Sequence, residues 1–277
     1  MNKPCLLIFG GLICGFGPLG SVRGEYVYWG FRSQDPQMQR ADLDSDPFKP
    51  EAVINGFGLI EEIAVDVTRG KVYWISTELP EKKLVRANLD GSGQQTLNNS
   101  YVLDFWLSED GAEIYLGARP SPNTHVIFRI TIATRSRSTI YTFPEGEEPD
   151  SISVDLGVGK IYWTTLLPSQ IGRVDLDGNN AEILITGANQ PTDIELDLTN
   201  RKMYWINRTQ GSVSRASLDG TDVEVVLASS NNATAITLDV DGAYVVQLVV
   251  NDGTVNSVAE SVTINATTGN SAPGAPV

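Results

Sequence analysis

Along most of the chain, short apolar runs alternate with Gly, Asn, Asp and Pro, and no stretch places its apolar residues at helical spacing. The pattern predicts strands joined by tight turns. Four runs share one form: "IAVD" closing at Asp66, "FWLS" at Ser108, "ISVD" at Asp155 and "IELD" at Asp197. Turn-formers follow each of them, in "VTRGK", "EDGAE", "LGVGK" and "LTNRK", which supply the residues that hairpins need. A second strand comes next: "KVYWIS" (71–76), "EIYLGA" (113–118), "KIYWTT" (160–165) and "KMYWIN" (202–207), with a fifth copy, "YVYWGF" (26–31), near the start.

The copies form a lattice. Tyr28, Tyr73, Tyr115, Tyr162 and Tyr204 are separated by 45, 42, 47 and 42 residues, the period of a four-stranded propeller blade. A third strand is marked by Arg-x-x-Leu/Ile: Arg40 to Leu43, Arg86 to Leu89, Arg129 to Ile132, Arg173 to Leu176 and Arg215 to Leu218. In three blades "LDG" ends that strand, and an apolar fourth strand such as "EILI" (182–185) or "VEVVL" (223–227) completes the unit. Neighbours in a strand point to opposite faces, so Tyr and Trp of one blade are expected to pack against the blades on either side. The five regularly placed arginines are expected to tie blades together.

The Tyr-Trp pairs, the Val/Leu-Asp before them and the Arg-x-x-Leu-Asp-Gly segments span about residues 25–240. Together they resemble the YWTD-repeat β-propellers of the low-density lipoprotein receptor family. The resemblance implies an all-β propeller of five recognisable blades with room for a sixth, and a role in extracellular protein recognition, receptor or matrix assembly without catalysis. The fourth motif position departs from the family: it holds Phe31, Ser76, Ala118, Thr165 and Asn207, never Asp. Ser, Thr and Asn can take over part of the hydrogen bonding of that Asp. The first Tyr-Trp strand has no first strand before it, so "TAITLDV" (234–240) or the strands after it are expected to close the ring. The strands around the Asn-Asp-Gly turn at 251–253 lack the Arg marker and resemble the last two strands of a polycystic-kidney-disease (PKD) type or other immunoglobulin-like repeat. The expected division is therefore a propeller over 25–240, an Ig-like remnant or sixth blade over 241–266, and a disordered tail over 267–277.

Residues 1–24 read as a secretory signal: a Lys near the start, an apolar run, and small residues before Glu25. The mature chain is then secreted, with no membrane insertion after cleavage. Cys5 and Cys14 both lie in this segment, so no disulfide or thiol chemistry is expected. The whole chain carries a net charge of −14; removing Lys3 and Arg23 leaves 18 basic against 34 acidic residues, or −16. That excess repels nucleic acid and favours cations or a protein partner with a basic patch. The single His125, expected to end an exposed loop, gives little support to catalysis. The alternatives are a calcium-dependent lactonase-type propeller enzyme and a structural or adhesive module of a larger cell-surface protein. No cofactor is called for, calcium being the one ion left open; turns such as "DLDGNN" (175–180) lack the closing acid of a helix-loop-helix calcium site. Sequons stand at Asn98, Asn207, Asn232 and Asn265.

One further register concerns function. Eleven residues before the Tyr stand Glu62, Asp104 and Asp193, with Asp150 one residue off beside Ser151. First strands line the axis of a propeller, so these four carboxylates are expected to ring one mouth of the channel and draw a cation or a partner's Lys or Arg. The loops "TELPEKK" (77–83), "ARPSPNT" (118–124) and "LLPSQ" (166–170) are expected on the same face.

Overall fold

A computed structural model describes residues 6–8, 26–30, 38–42, 49, 51–55, 59–78, 81–228, 236, 244–247 and 261–264. They form antiparallel sheets that follow one another as propeller blades, with no helix among the described residues. A three-residue strand β1 (Leu6–Ile8) comes first. Blade one has β2 (Tyr26–Gly30), β3 (Met38–Asp42) and β4 (Glu51–Ile54). Blade two has β5 (Leu59–Asp66), β6 (Lys71–Glu78), β7 (Glu81–Asn88) and β8 (Gln95–Asn98). Blade three has β9 (Tyr101–Leu107), β10 (Glu113–Ser121), β11 (Thr124–Thr131) and β12 (Ser136–Thr142). Blade four has β13 (Glu148–Asp155), β14 (Lys160–Leu167), β15 (Gln170–Asp175) and β16 (Glu182–Thr186). Blade five has β17 (Pro191–Asp197), β18 (Lys202–Asn207), β19 (Ser212–Ser217) and β20 (Glu224–Leu227). A last pair, β21 (Tyr244–Gln247) and β22 (Ser261–Ile264), sets Tyr244 opposite Ile264.

The core lies between blades. Tyr28 shares an apolar cluster with Trp74 of blade two, Tyr115 with Trp163 of blade four, and Tyr162 with Trp205 of blade five. In blade three Leu116 holds the Trp position, and it meets Tyr73 in the same way. Each Tyr therefore packs forward and each Trp backward, and no ring of Trp74, Trp163 or Trp205 is more than 2% exposed. Trp163 also stacks on Tyr141 at 5.1 Å and meets the edge of Phe143 at 5.5 Å, both from the outer part of blade three.

The arginines add polar ties between the same blades. Arg40 Nη1 donates to the Leu89 carbonyl of blade two at 3.0 Å, and Arg173 Nη1 to the Leu218 carbonyl of blade five at 2.9 Å. Each also pairs within its own blade with Glu51 or Glu182, directly across on the fourth strand. The accepting carbonyls belong to the "LDG" turns, and the rest of that motif has its own physical reasons. Asp90, Asp177 and Asp219 each accept the backbone N–H two residues on, at 2.9, 2.9 and 3.0 Å. Gly91 sits at φ 82° with the Val53 carbonyl of blade one so close that a Cβ would lie 1.7 Å from its oxygen. Gly178 repeats the approach against Ile140 at 2.3 Å, so a side chain there would force the blades apart.

At the fourth motif position Asn207 replaces Asp fully. It accepts Trp205 Nε1 at 2.9 Å and donates to Ser212 and Ser214 Oγ. Thr165 does so only in part: its hydroxyl turns to the carbonyls of Pro168 and Gln170, and the buried Trp163 Nε1 is left without a partner.

Other expectations need correction. The three loops expected after the second strands are mostly strand: β6 runs to Glu78 and β7 starts at Glu81, β10 to Ser121 and β11 at Thr124, β14 to Leu167 and β15 at Gln170. Ladder pairing continues nearly to each tip, as in Glu78 opposite Glu81. His125 is not in a loop but the second residue of β11, half-buried, and burial and then the Arg119 charge hold its imidazole below the usual value. The sequon residues Asn98 and Asn207 are 4% and 2% exposed, which closes them to a glycosyl chain in the folded protein. Asn232 and Asn265 lie outside the described residues. So does nearly all of the expected signal, except that Leu6 and Ile8 of β1 pair with Ala64 and Glu62 on the free edge of β5. The expected tail 267–277 is also outside.

Two substitutions test this account by chemical unfolding. Trp205→Ala should cost about 3–5 kcal/mol, because it empties the contact between two blades. Thr165→Asn should instead stabilise by about 1 kcal/mol by giving Trp163 Nε1 an acceptor.

Candidate functional site

Among the first strands β9 and β17 flank β13, and together with β5 they line one cavity, a central channel. Each carries one extra residue at the same place. Pairing with the second strand slips between Ile60 and Ile63, between Val102 and Asp104, between Pro149 and Ile152, and between Thr192 and Ile194. Such bulges turn a side chain and a backbone N–H out of the ladder. Here they turn them toward the neighbouring blade, and Asp193 adopts φ 41° to do so.

The result is a chain of hydrogen bonds from blade to blade. Glu62 Oε2 accepts the N–H of Phe105 at 3.4 Å, Asp104 Oδ2 that of Ile152 at 2.6 Å, and Ser151 Oγ that of Ile194 at 3.3 Å. Asp193 Oδ2 then accepts the N–H of Ile236. Ile236 follows Ile194 by 42 residues and is fully buried, so it holds the first-strand position of the next blade. It is the one described residue of the 234–240 segment expected to close the ring; the described partner of β2 is β3.

Glu62, Asp104 and Asp193 line the cavity together with Ser151, and the Asp150 carboxyl lies near enough to feel the charge of Asp104 and to act on Asp193. Register identified Ser151, whereas charge drew attention to Asp150. None of the three is a solvated loop-end charge. They keep some surface open to the channel but lie deep in the protein, and Asp104 uses its other oxygen on the Phe105 N–H at 2.8 Å. Burial, then the charge of Asp104 and a hydrogen bond with it, hold the Glu62 carboxyl well above its usual range. Burial and then the Glu195 charge do the same for Asp193. Asp150 is pushed up to about 6 by burial and then by Asp104, against the pull of Arg208 and Lys82.

The face on which these residues stand follows from register. Leu59 is opposite Thr77, Tyr101 opposite Arg119, Glu148 opposite Leu167 and Pro191 opposite Asn207, so the leading ends of the first strands adjoin the hairpins between second and third strands. Arg119 lies over the Tyr101 ring at 4.3 Å, and Lys82 pairs with Glu61 on the same rim. Among the described residues no group of three or more His, Cys, Asp or Glu is placed to hold a metal ion.

The family model described as low-density lipoprotein receptor repeat class B matches residues 201–240, which take in β18 to β20 and Ile236. Among solved structures, a chain of a nidogen/laminin complex is 19% identical, with 78% of this chain and 83% of that chain covered and a TM-score of 0.59. TolB from Acinetobacter baumannii is 15% identical, with 83% and 62% covered and a TM-score of 0.61. A puromycin hydrolase mutant is 14% identical, with 93% and 44% covered and a TM-score of 0.68. Identities this low establish the fold alone. The chain is a β-propeller carrying a YWTD-class repeat. No curated protein matches it by sequence.

Two measurements follow. Deleting 234–277 should lower the melting temperature sharply, since it removes the Ile236 N–H that donates to Asp193; an unchanged value would show that no closing strand is lost. The pH test uses Asp150→Asn. A carboxyl raised in the folded state contributes its full stability below its unfolded pKa, near 3.8, and loses it as pH climbs through about 6. The variant cannot ionise, so it should match the wild type near pH 4 and melt about 3–8 °C higher at pH 7.

Proposed function

We propose that the chain is a secreted, non-catalytic propeller module that binds a protein partner through the face bearing the β6–β7, β10–β11 and β14–β15 hairpins. The observation that carries this reading is the convergence of Glu62, Asp104 and Asp193 at the channel mouth on that same face. Carboxylates in a partly dry site attract a Lys or Arg side chain, and the excess of acid over the whole chain steers a basic partner toward it. The repeat class matched at 201–240 and the fold shared with a chain of a nidogen/laminin complex support a protein partner and an extracellular setting.

The test is a pair of peptides of equal length, one Lys-rich and one Glu-rich, titrated against the full chain at two salt concentrations. The Lys-rich peptide should bind and lose about tenfold in affinity as salt rises past the range where surface charges are screened. Replacing Glu81 and Glu148, both exposed beside the hairpins, with Gln should weaken it further. Calcium should compete with the peptide if the channel mouth takes part. Equal binding of the two peptides would overturn the reading.

A further inference from the structure

Carboxylates already engaged as ties between blades do not by themselves make a ligand site. What points to one is the space they border, a cavity of about 250 Å³ lined by residues from Asp104 to Glu109, from Ser151 to Gly157 and from Asp193 to Leu198. Glu62, Asp104 and Asp193 mark one end, and Glu109 marks the other, beside Leu156 and Leu198. From Asp104 the strand β9 runs about 10 Å to Leu107, and Glu109 stands in the turn beyond it. Between the ends Glu195 follows Asp193 by two residues, on the same side of β17. Apolar side chains form much of the remaining wall, among them Val154 and Leu196, together with Trp106, whose ring is tilted on Tyr115 at 6.0 Å.

A bare metal ion suits this cavity poorly. One oxygen of Glu62, one of Asp193 and both of Asp104 take backbone N–H groups, and no three acidic groups among the described residues are placed to hold a metal ion. An ammonium group asks for less, because three hydrogen-bond acceptors satisfy it. A single Lys side chain from a partner carries one charge and is much shorter than the cavity. The spacing of acids along an apolar, aromatic wall matches cationic nitrogens separated by methylene chains, with the Trp106 ring available for a cation–π contact.

We propose that the channel binds a linear aliphatic polyamine, one terminal ammonium seated among Glu62, Asp104 and Asp193, the methylene chain along the wall, and the far nitrogen near Glu109. The inference shares its acidic end with the protein-binding reading, but its ligand is a small molecule inside the channel.

Calorimetric titration of the full chain with spermidine, n-butylamine and calcium tests it. Spermidine should bind with one-to-one stoichiometry, at least tenfold more tightly than n-butylamine or calcium, and raise the melting temperature. Glu109→Gln, at an exposed position outside the blade ties, should weaken spermidine about fivefold and leave the unliganded melting temperature unchanged. Trp106→Leu should weaken it too, through the lost wall. Equal affinity for the three probes, or spermidine binding untouched by both variants, would overturn the proposal. Because the peptide titration uses exposed hairpin residues and this one uses channel residues, either reading can fail while the other stands.

Discussion

Everything in this molecule depends on the contact between one blade and the next. A four-stranded antiparallel sheet has two faces and no core of its own. Here both faces are filled by neighbours: Tyr from the blade behind, Trp or Leu116 from the blade ahead. The same boundary is secured at three radii. At the boundary of blades four and five, Ser151 Oγ holds the inner strands through the Ile194 N–H, Tyr162 and Trp205 fill the middle, and the Arg173 bond to the Leu218 carbonyl with the close approach of Gly220 to Leu184 sets the outer part. Apolar burial supplies most of the stabilisation, and the polar ties fix register.

The inner ties have an electrostatic consequence. Using Asp and Glu as acceptors brings like charges together around the axis, in a place poor in water. Burial and the neighbouring charges accordingly raise the Glu62 and Asp193 carboxyls above their usual range. Ser151 performs the same mechanical task without charge, so the acids are not demanded by the tie alone. That surplus of charge over structural need is the physical reason to regard the channel as more than scaffold.

Much of this was legible in the sequence because it recurs. The Tyr-Trp pairs, the arginines and the "LDG" turns repeat at a blade's spacing, and repetition separates packing roles from incidental ones. The bulges were not legible. A one-residue insertion within a strand leaves the distance to the Tyr unchanged from blade to blade, so counting cannot locate it, and yet it aims Glu62, Asp104 and Asp193 at their neighbours. The hydrogen-bonding role of Ser151 was not legible either, because an uncharged residue in the same register gave no signal of its own. The loops were read as long because Pro and charged residues fill them, although two-residue tips between extended strands accept both. The unpartnered Trp163 Nε1 was foreshadowed by Thr165 in place of Asp, but only its hydroxyl direction decided the matter.

The Arg-to-carbonyl bond has one more implication, and it concerns ancestry. Repeats two, four and five each contain an Arg on the third strand, an "LDG" turn, the forward Tyr and the backward Trp. A copied repeat therefore arrives with complementary halves for the neighbours on either side. Tandem duplication of the coding segment can lengthen such an array without inventing a new interface, and loss of a segment can shorten it without stranding one. Selection on copy number then acts at a single junction, the one where the first repeat meets the last.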